Sequence, residues 1–411
     1  MRKVLILGAG TGGSIMANRL RKESRRHGLG FEITVVDPEE QHLYQPGLLF
    51  LPFGQTTLKK ILKPKRRFIH KSVPIIESPV ASLDAAAKQV QLANGQTLAY
   101  DILIIATGAK VAPEETEGLT GEGWYQNRFD FYTLEGAKRL QAALKNFSGG
   151  HLVVNIVDMP IKCPVAPLEF AFLADAYFKR RGLRDKVKIS YVTPLDAAFT
   201  KPVAAGVFKD FLTTKNIELV TEFNTGRVEG NKIISWDERT VDFDLLVTIP
   251  LHNGADFVKA SDIGDDLGFV RVNKETLQSE KHPEIFALGD ATNVPASKAG
   301  SVTHFESETV SDNIVRFVKN QELLKDFDGH SNCFIETGGS KATLIDFSYD
   351  IEPLPGKFPY SGIGPLKLLK ETRMNHWGKL AFRLIYWCIL LPARWLPIGR
   401  HCTMKGKYRP N

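Results

Sequence analysis

The stretch VLILGAGTGG, residues 4–13, decides the fold of the first part of the chain. Its apolar beginning is typical of a strand buried inside a parallel sheet. Gly8, Gly10 and Gly13 then form a GxGxxG turn, and a segment with helical spacing of apolar residues follows. A glycine turn between a strand and a helix lets a pyrophosphate approach the helix N-terminus, where unpaired N–H groups favour negative charge. The stretch therefore predicts a dinucleotide-binding βαβ unit.

Asp37 supplies the acidic residue that this motif requires. It ends the next predicted strand, residues 31–36, and lies 24 residues after Gly13. An acid at this place accepts a ribose hydroxyl and disfavours a 2′-phosphate. At this point the cofactor could be NAD or FAD.

The rest of the chain predicts an α/β protein with two Rossmann-like dinucleotide-binding domains and a C-terminal membrane-attachment region. Residues 1–110 and 250–325 are assigned to a discontinuous first domain, because a late strand near residues 284–290 returns to it, followed by a helix near residues 306–319. Residues 111–249 form the second domain. Residues 326–411 form the C-terminal region, with an amphipathic helix at about 366–396.

Composition excludes several classes of protein. The chain has 411 residues, 43% hydrophobic and 24% charged, which is typical of a folded protein. Four scattered cysteines are too few for a disulfide scaffold, and we predict no metal site. The net charge is +7, but the excess of basic residues lies after residue 366, so nucleic acid is not expected. The apolar N-terminus runs directly into the glycine motif, which favours a first strand over a cleavable signal peptide.

The second domain lacks a glycine motif of its own. The turn at residues 157–164 contains no glycine, and Asp158 would repel a pyrophosphate. A nicotinamide cofactor is therefore not expected to bind there by the usual route. Cys163 precedes Pro164 in this turn, so we expect its thiol near a helix N-terminus, where the dipole and Lys162 would stabilise a thiolate. A small buried residue between helix and sheet is the alternative.

Two further turns resemble those of the flavoproteins with two dinucleotide domains. They are the ATG turn ending at Gly108 and the Gly289-Asp290 pair after the late strand. The resemblance implies FAD, with Asp290 holding the ribityl chain. The predicted cofactor-binding residues are Gly8, Gly10, Thr11, Gly12, Gly13, Asp37, Thr107, Gly108, Gly289, Asp290, Lys298 and Gly300.

Taken together, the motifs resemble those of the sulfide:quinone oxidoreductases, over most of the chain. They are GAGTGG, YQPGLLFLPFG (44–54), ATGAK, KCPVAPLEFAF (162–172), ALGDAT, the KAG turn at 298–300 and the segment NCFIETGG around Cys333. The resemblance implies that sulfide is oxidised to polysulfide or elemental sulfur at a bridged pair formed by Cys163 and Cys333. The electrons would then pass through FAD to a membrane quinone.

The resemblance also suggests further site residues. Glu169, about two turns along the helix that follows Cys163, is a candidate proton acceptor, with an exposed helix carboxylate as the alternative. Lys298 corresponds to a lysine-glycine element next to the flavin and quinone, and His304 is a candidate for proton transfer. Many members carry a third cysteine, which residues 120–132 lack. We therefore expect noncovalent FAD, and the length of the sulfur product stays open.

The tail predicts attachment to one face of a membrane. The apolar run 380–391 contains Arg383, and twelve helical residues span only about 18 Å of a hydrocarbon core of about 30 Å. Trp377, Tyr386, Trp387 and Trp395 suit the headgroup region, and Lys370, Arg373, Lys379, Arg394 and Arg400 suit anionic lipid. The alternative is a buried helix. Candidate quinone contacts are Phe347, Phe358 and Tyr360.

Two other functions stay open at this point. One is a type II NADH:quinone oxidoreductase, and the other is a flavin-bound membrane scaffold without catalysis. For the preferred function the expected partners are sulfide, quinone and the lipid bilayer surface. We further expect a homo-oligomer, dimer or trimer, peripherally attached to the cell membrane.

Overall fold

The computed structural model describes residues 1–359 and 364–409. Eight helices of the α type lie within these residues, and two of them are single turns. In chain order they are α1 Thr11–His27, α2 Leu58–Ile61, α3 Leu134–Asn146, α4 Ala166–Arg180, α5 Pro202–Thr214, α6 Asp256–Lys259, α7 Gly300–Val318 and α8 Arg373–Ile385. Helix α7 begins six residues earlier than predicted, because the KAG turn leads directly into it.

The first sheet is fully parallel and contains the strand predicted from the opening motif. Its strands, in spatial order, are Ile285–Ala287, Ile102–Ile105, Arg2–Leu7, Phe31–Val36 and Ile75–Ile76. Side chains at the centre of this sheet are almost completely buried, as their near-continuous apolar sequences require. The late strand 285–287 thus returns to the sheet of the N-terminal strands, and the glycine turn lies at the carboxyl end of the central strand.

A second parallel sheet has the same arrangement. Its strands, in spatial order, are Arg128–Phe129, Leu245–Ile249, Gly150–Ile156, Val187–Val192 and Ile217–Val220. The chain crosses between the two sheets through a short antiparallel pair, Lys110–Ala112 with Leu251–Asn253. Two doubly wound sheets therefore bring the carboxyl ends of their strands towards a shared cleft, where ligands bind in such folds.

The C-terminal region contributes a mixed four-stranded sheet. Its strands, in spatial order, are Ser331–Gly338, Lys341–Phe347, Leu366–Leu368 and Gly356–Phe358. The remaining strands form small antiparallel sheets: Gln41–Leu43 with Leu62–Pro64; Val80–Asp84, Gln89–Leu92 and Thr97–Ala99; and Thr225–Glu229, Lys232–Ser235 and Thr240–Asp242. Helix α8 packs on the four-stranded sheet, with Gly378 against the ring of Phe334.

The tail helix is shorter than the predicted span of about 366–396. Residues 366–368 form a strand, α8 covers residues 373–385, and a π-helical turn at Tyr386–Leu390 follows. The first part of the tail is amphipathic, but Tyr386, Trp387, Leu390 and Leu391 are buried in the main hydrophobic core. The prediction that Tyr386 and Trp387 reach a headgroup region was therefore wrong, because both rings pack inside the protein.

Candidate active site

The glycine turn has the geometry that a dinucleotide requires. Gly8 has a φ of +95°, and a Cβ there would lie 2.4 Å from the carbonyl oxygen of Ala106. A Cβ on Gly13 would lie 1.8 Å from the carbonyl oxygen of Gly8, so this contact between strand and helix needs glycine. By contrast, no atom lies within 4 Å of a Cβ placed on Gly10, the residue before α1. The N-terminus of α1 is thus open to a pyrophosphate.

Asp37 is held more tightly than the sequence suggests. One carboxylate oxygen accepts a hydrogen bond from the backbone N–H of Ala9 at 2.5 Å, and the other accepts one from Glu39 at 2.8 Å. The buried ammonium group of Lys65 forms an ion pair with the same carboxylate. Lys65, which sequence analysis did not single out, therefore orients the acid predicted to contact the ribose.

A single cleft brings together residues from all three parts of the chain. Seven predicted cofactor residues line it: Thr11, Gly12, Gly108, Gly289, Asp290, Lys298 and Gly300. The neighbouring Thr107 has a buried hydroxyl without a hydrogen-bond partner among the described residues. Cys163, Glu169 and Cys333 line the same cleft. An open helix N-terminus, an unsatisfied hydroxyl and a glycine-lined wall fit a flavin dinucleotide.

The two cysteines reach the cleft from different domains. Cys163 precedes α4 with a positive φ of 45°, and its N–H donates to the carbonyl oxygen of Lys298 at 2.7 Å. Its own carbonyl oxygen accepts from the hydroxyl of Tyr132 at 3.2 Å. Cys333 lies in the strand Ser331–Gly338 of the C-terminal sheet. Both thiols are free and partly buried, with no disulfide between them in this structure.

The predicted low pKa of Cys163 was wrong. Burial raises the pKa of the Cys163 thiol far above its ordinary value, and the charges of Cys333 and Glu169 raise it further. Burial likewise raises the pKa of Cys333 to about 12, with Lys379 opposing the shift. Helix α4 begins only at Ala166, so Cys163 is not in its first turn. At Cys163, burial therefore outweighs the stabilisation expected from the dipole of α4.

Glu169 is a buried carboxylate within the first turn of α4. One oxygen accepts hydrogen bonds from the backbone N–H of Glu336 and from the Lys379 ammonium group, each at 2.8 Å. Its other oxygen, Oε2, is buried without a partner among the described residues. Burial raises the pKa of Glu169, while the charge of Lys379 lowers it. This excludes the exposed-carboxylate alternative and leaves one acceptor atom free beside the two thiols.

Lys379 was missed as a site residue, because the sequence places it among the lysines and arginines of the tail. Its ammonium group donates to Glu169 and to the carbonyl oxygen of Phe334, at 2.8 Å each. Burial lowers the pKa of Lys379, but the charges of Glu169 and Cys163 outweigh it, and the net direction is upward. A permanent positive charge thus stands beside the cysteine pair. The prediction that Lys379 meets lipid was wrong.

Lys298 lines the same cleft, next to Cys163. Its ammonium group donates to the carbonyl oxygens of Thr292 at 2.6 Å and Asp290 at 3.1 Å, and it lies 4.3 Å from the ring centroid of Phe269. Burial raises the pKa of the Asp290 carboxyl, and the charges of Lys298 and Lys162 oppose that shift. The Asp290 carboxyl at the cleft wall is therefore influenced by the positive charges of both lysines.

Several other predicted residues lie away from the cleft. His304 is buried on α7 and does not line the cleft, and burial lowers its pKa to about 4. Phe347 is buried beneath Lys201, whose ammonium lies 5.8 Å from the ring centroid. Phe358 lines a separate cavity, and Tyr360 lies outside the described residues. The aromatic residues that do line the cleft from the tail are Phe382 and Tyr386.

Tyr386 connects the tail to the dinucleotide turn. Its hydroxyl lies 2.7 Å from Thr11 Oγ1 and 2.6 Å from His42 Nε2. The adjacent Trp387 ring stacks on Phe68, with centroids 4.7 Å apart. The end of the tail helix therefore belongs to the wall of the cofactor site. No local pattern in the sequence predicts this contact.

Comparison with known proteins identifies relatives of this site. The family described as pyridine nucleotide-disulphide oxidoreductase matches residues 2–157. The mitochondrial sulfide:quinone oxidoreductase of Mus musculus is 28% identical over 405 residues, which cover 96% of this chain and 87% of that protein. This chain is thus similar to sulfide:quinone oxidoreductases over almost its whole length. A mitochondrial relative of the same name from Dictyostelium discoideum is 25% identical over 403 residues, covering 96% of this chain and 86% of that one.

A solved structure supports the same relation at the level of the fold. The sulfide:quinone oxidoreductase of Aquifex aeolicus superposes with a TM-score of 0.80 at 21% identity, covering 96% of this chain and 92% of that one. The predicted α/β fold and the family resemblance are thus confirmed. The predicted cofactor is confirmed as FAD, because the sulfide:quinone oxidoreductase homologues and the wider family are FAD-binding flavoproteins. These relatives support the prediction that the chain is an FAD-dependent oxidoreductase.

Proposed function

We propose that this protein oxidises sulfide at Cys163 and Cys333 and passes the electrons through FAD to a membrane quinone. One observation supports this most directly: the two cysteines, 170 positions apart in sequence, line one cleft with seven predicted FAD-binding residues. The mouse and Dictyostelium homologues carry the corresponding name.

FAD binds noncovalently in this proposal. The turn before α1 would hold the pyrophosphate, Asp37 the adenosine ribose and Asp290 the ribityl chain, while Lys298 and Gly300 would lie beside the ring. FAD bound there would supply an acceptor for two electrons between the sulfur chemistry and quinone. No cysteine other than Cys163 and Cys333 lines the cleft, which leaves both thiols to the sulfur chemistry.

The sulfur step uses a bridged, oxidised form of the cysteine pair. Hydrosulfide attacks one sulfur of the Cys163–Cys333 bridge, the S–S bond breaks, one cysteine becomes a persulfide and the other a thiolate. The two electrons gained by the pair then leave through FAD. Glu169 Oε2, unpartnered beside the thiols, accepts the proton of the incoming sulfide. Burial disfavours a thiolate at this place. The ammonium group of Lys379 opposes that effect and stabilises the cysteine thiolate that the attack releases.

The quinone enters from the side of α8. Met374, Trp377, Leu380 and Leu384 follow one another at intervals of three or four residues, which is one face of a helix, and are exposed by 50%, 66%, 47% and 64%. Lys379, Phe382 and Tyr386 of the same segment line the cleft. We infer that the exposed stripe lies in the headgroup layer and that Phe382 contacts the quinone, in place of the three aromatic residues suggested by sequence.

Attachment in this proposal is to one face of the cell membrane. Among the helices within residues 1–359 and 364–409, none combines the length and the apolar character needed to cross a bilayer. A short amphipathic helix with an exposed aromatic residue on its apolar face is the form expected of an interfacial anchor.

Anaerobic titration tests the function against its two rivals. Sulfide should bleach the flavin of the wild-type holoprotein, whereas NADH should not, because the turn at residues 157–164 offers no glycine to a second dinucleotide. Cys163→Ser and Cys333→Ser should bind FAD but lose sulfide-dependent bleaching. Cys388→Ser, altered at an exposed thiol outside the cleft, is the matched control. Bleaching by NADH would favour the NADH dehydrogenase, and no bleaching by either would favour the scaffold.

A further inference from the structure

A second cavity, of about 170 Å³, lies between the C-terminal sheet and the end of the tail. Phe358, Pro359, Leu368 and Ile398 form its apolar part, and none of its lining residues belongs to the cleft with the cysteines. The polar part is rich in cations, with one carboxylate. Its members are His330, Asp346, Lys357, His401, Lys405 and Lys407, joined by Gly399 and Thr403.

The tail that closes this cavity is firmly attached. The backbone N–H of Lys357 donates to the carbonyl oxygen of Gly406 at 2.8 Å, and that of Cys402 donates to Asp328 at 2.8 Å. Arg400 forms ion pairs with Asp312 at 2.7 Å and Asp326 at 2.8 Å. The cavity is therefore built by long-range contacts.

A metal ion does not fit here. His330, Asp346 and Cys402 place ligand atoms within 4.8 Å of one another. The Lys407 ammonium, however, lies 2.6 Å from Asp346 Oδ2 and 2.9 Å from Cys402 Sγ. A positive charge thus already occupies the centre of this group, and it neutralises Asp346, which His330 also contacts at 2.8 Å.

Lys357 and Lys405 are the charged residues of the cavity lining that have no ion pair among the described residues. His401 is paired with Asp326 at 2.8 Å, and Lys407 with Asp346. Across the described parts of the chain, neither Lys357 nor Lys405 has an ion pair or a side-chain hydrogen bond. The cavity lining therefore combines two exposed lysines without an ion pair with a group of apolar side chains, which matches an amphiphilic anion.

The cavity also borders the proposed membrane face. Asn375, in the first turn of α8, hydrogen-bonds both backbone groups of Lys367, at 3.1 and 2.7 Å. The next residue, Leu368, lines the cavity. Trp395, 83% exposed, lies three residues before Ile398 of the cavity lining.

We propose that this cavity binds the phosphate group of an anionic lipid headgroup, with Lys357 and Lys405 as its ligands. The proposal rests on the membrane attachment proposed above and adds a lipid preference to it. Free phosphate has the same charged group but does not fill the apolar part, so lipid is the source that the lining favours.

Vesicle sedimentation tests the headgroup site with the full-length holoprotein. The wild type should bind vesicles containing phosphatidylglycerol more tightly than pure phosphatidylcholine vesicles. In Lys357→Glu/Lys405→Glu the preference should fall by about 10-fold or more, with binding to phosphatidylcholine unchanged. Lys145→Glu/Lys209→Glu removes the same charge from exposed lysines outside both the cavity and the tail, and should retain most of the preference. Melting temperature and flavin absorption verify that both variants fold.

The outcomes separate this inference from the proposed attachment. Failure to bind any vesicle overturns the attachment itself. Binding without a lipid preference, or an equal loss in both double variants, overturns only the headgroup site. Phosphorus NMR measures whether the protein also binds two soluble compounds, glycerol phosphate and inorganic phosphate. The lipid assignment is overturned if Lys357 and Lys405 are needed for saturable binding of free phosphate but their substitution leaves vesicle binding unchanged.

Discussion

Replacing Lys379 by methionine should destabilise the protein in a pH-dependent way. The ammonium is 2.8 Å from the Glu169 carboxylate, and the two side chains are only 12% and 1% exposed. Removing one member of such a buried pair typically costs about 3–5 kcal/mol, because the other charge is left uncompensated. The cost is limited by protonation of Glu169, which then no longer carries the charge.

The protonation of the Glu169 carboxyl group determines how this loss of stability changes with pH. Burial raises the pKa of Glu169 above its unfolded value of 4.5, so the folded state binds this proton more tightly than the unfolded state. Without Lys379 the folded pKa rises further. The loss of stability relative to wild type should therefore be small near the unfolded pKa and grow as the pH rises through the folded pKa.

Thermal unfolding of the holoprotein at about pH 5 and about pH 8 measures this difference. Lys379→Met should be much less stable than wild type at the higher pH, and adding Glu169→Gln should restore most of the loss. Lys179→Met is the control, because Lys179 pairs with Asp175 at 2.9 Å but is 55% exposed, and Arg184 also holds Asp175. An exposed pair contributes at most about 1 kcal/mol. An equal loss at both pH values would refute the buried-charge explanation.

Three further results are expected. Tyr386→Phe should raise the dissociation constant of FAD by about 5-fold, because the hydrogen bonds to Thr11 and His42 are lost. Flavin fluorescence measures this constant, and an unchanged value would show that Tyr386 does not support the cofactor site. Trp377→Asp/Leu384→Asp should release the protein from phosphatidylcholine vesicles while sulfide still bleaches the flavin, and persistent binding would require another anchor. Glu169→Gln should slow flavin reduction by sulfide by about 100-fold in stopped-flow measurements, and an unchanged rate would remove Glu169 from proton transfer.

The sequence was informative wherever the signal is local. The apolar run before Gly8 predicts the central strand, because a buried parallel strand needs continuous apolar residues. The helix expected after Cys163 is likewise present, as α4. Helical spacing also predicts an amphipathic tail, but the sequence does not reveal that its second half turns inward at Tyr386.

Features that depend on distant contacts were not predicted. Lys379 meets Glu169 across 210 positions of sequence, and in the sequence it is indistinguishable from the exposed basic residues around it. The pKa of Cys163 was misjudged for a related reason: the start of a helix is visible in the sequence, whereas the burial of the thiol arises only when distant parts of the chain meet. Lys379 lies two residues after Trp377 and three residues before Phe382, and these aromatic neighbours are the local hint of burial in the sequence.

In the proposed function Cys163 and Cys333 act as one redox pair, and peptide mass spectrometry of the oxidised holoprotein measures this. A sulfur cross-link between the peptides that contain these two cysteines is expected. The cross-link should disappear in proportion to flavin bleaching when sulfide is added without oxygen. Two unlinked thiols in a holoprotein that sulfide still reduces would contradict it.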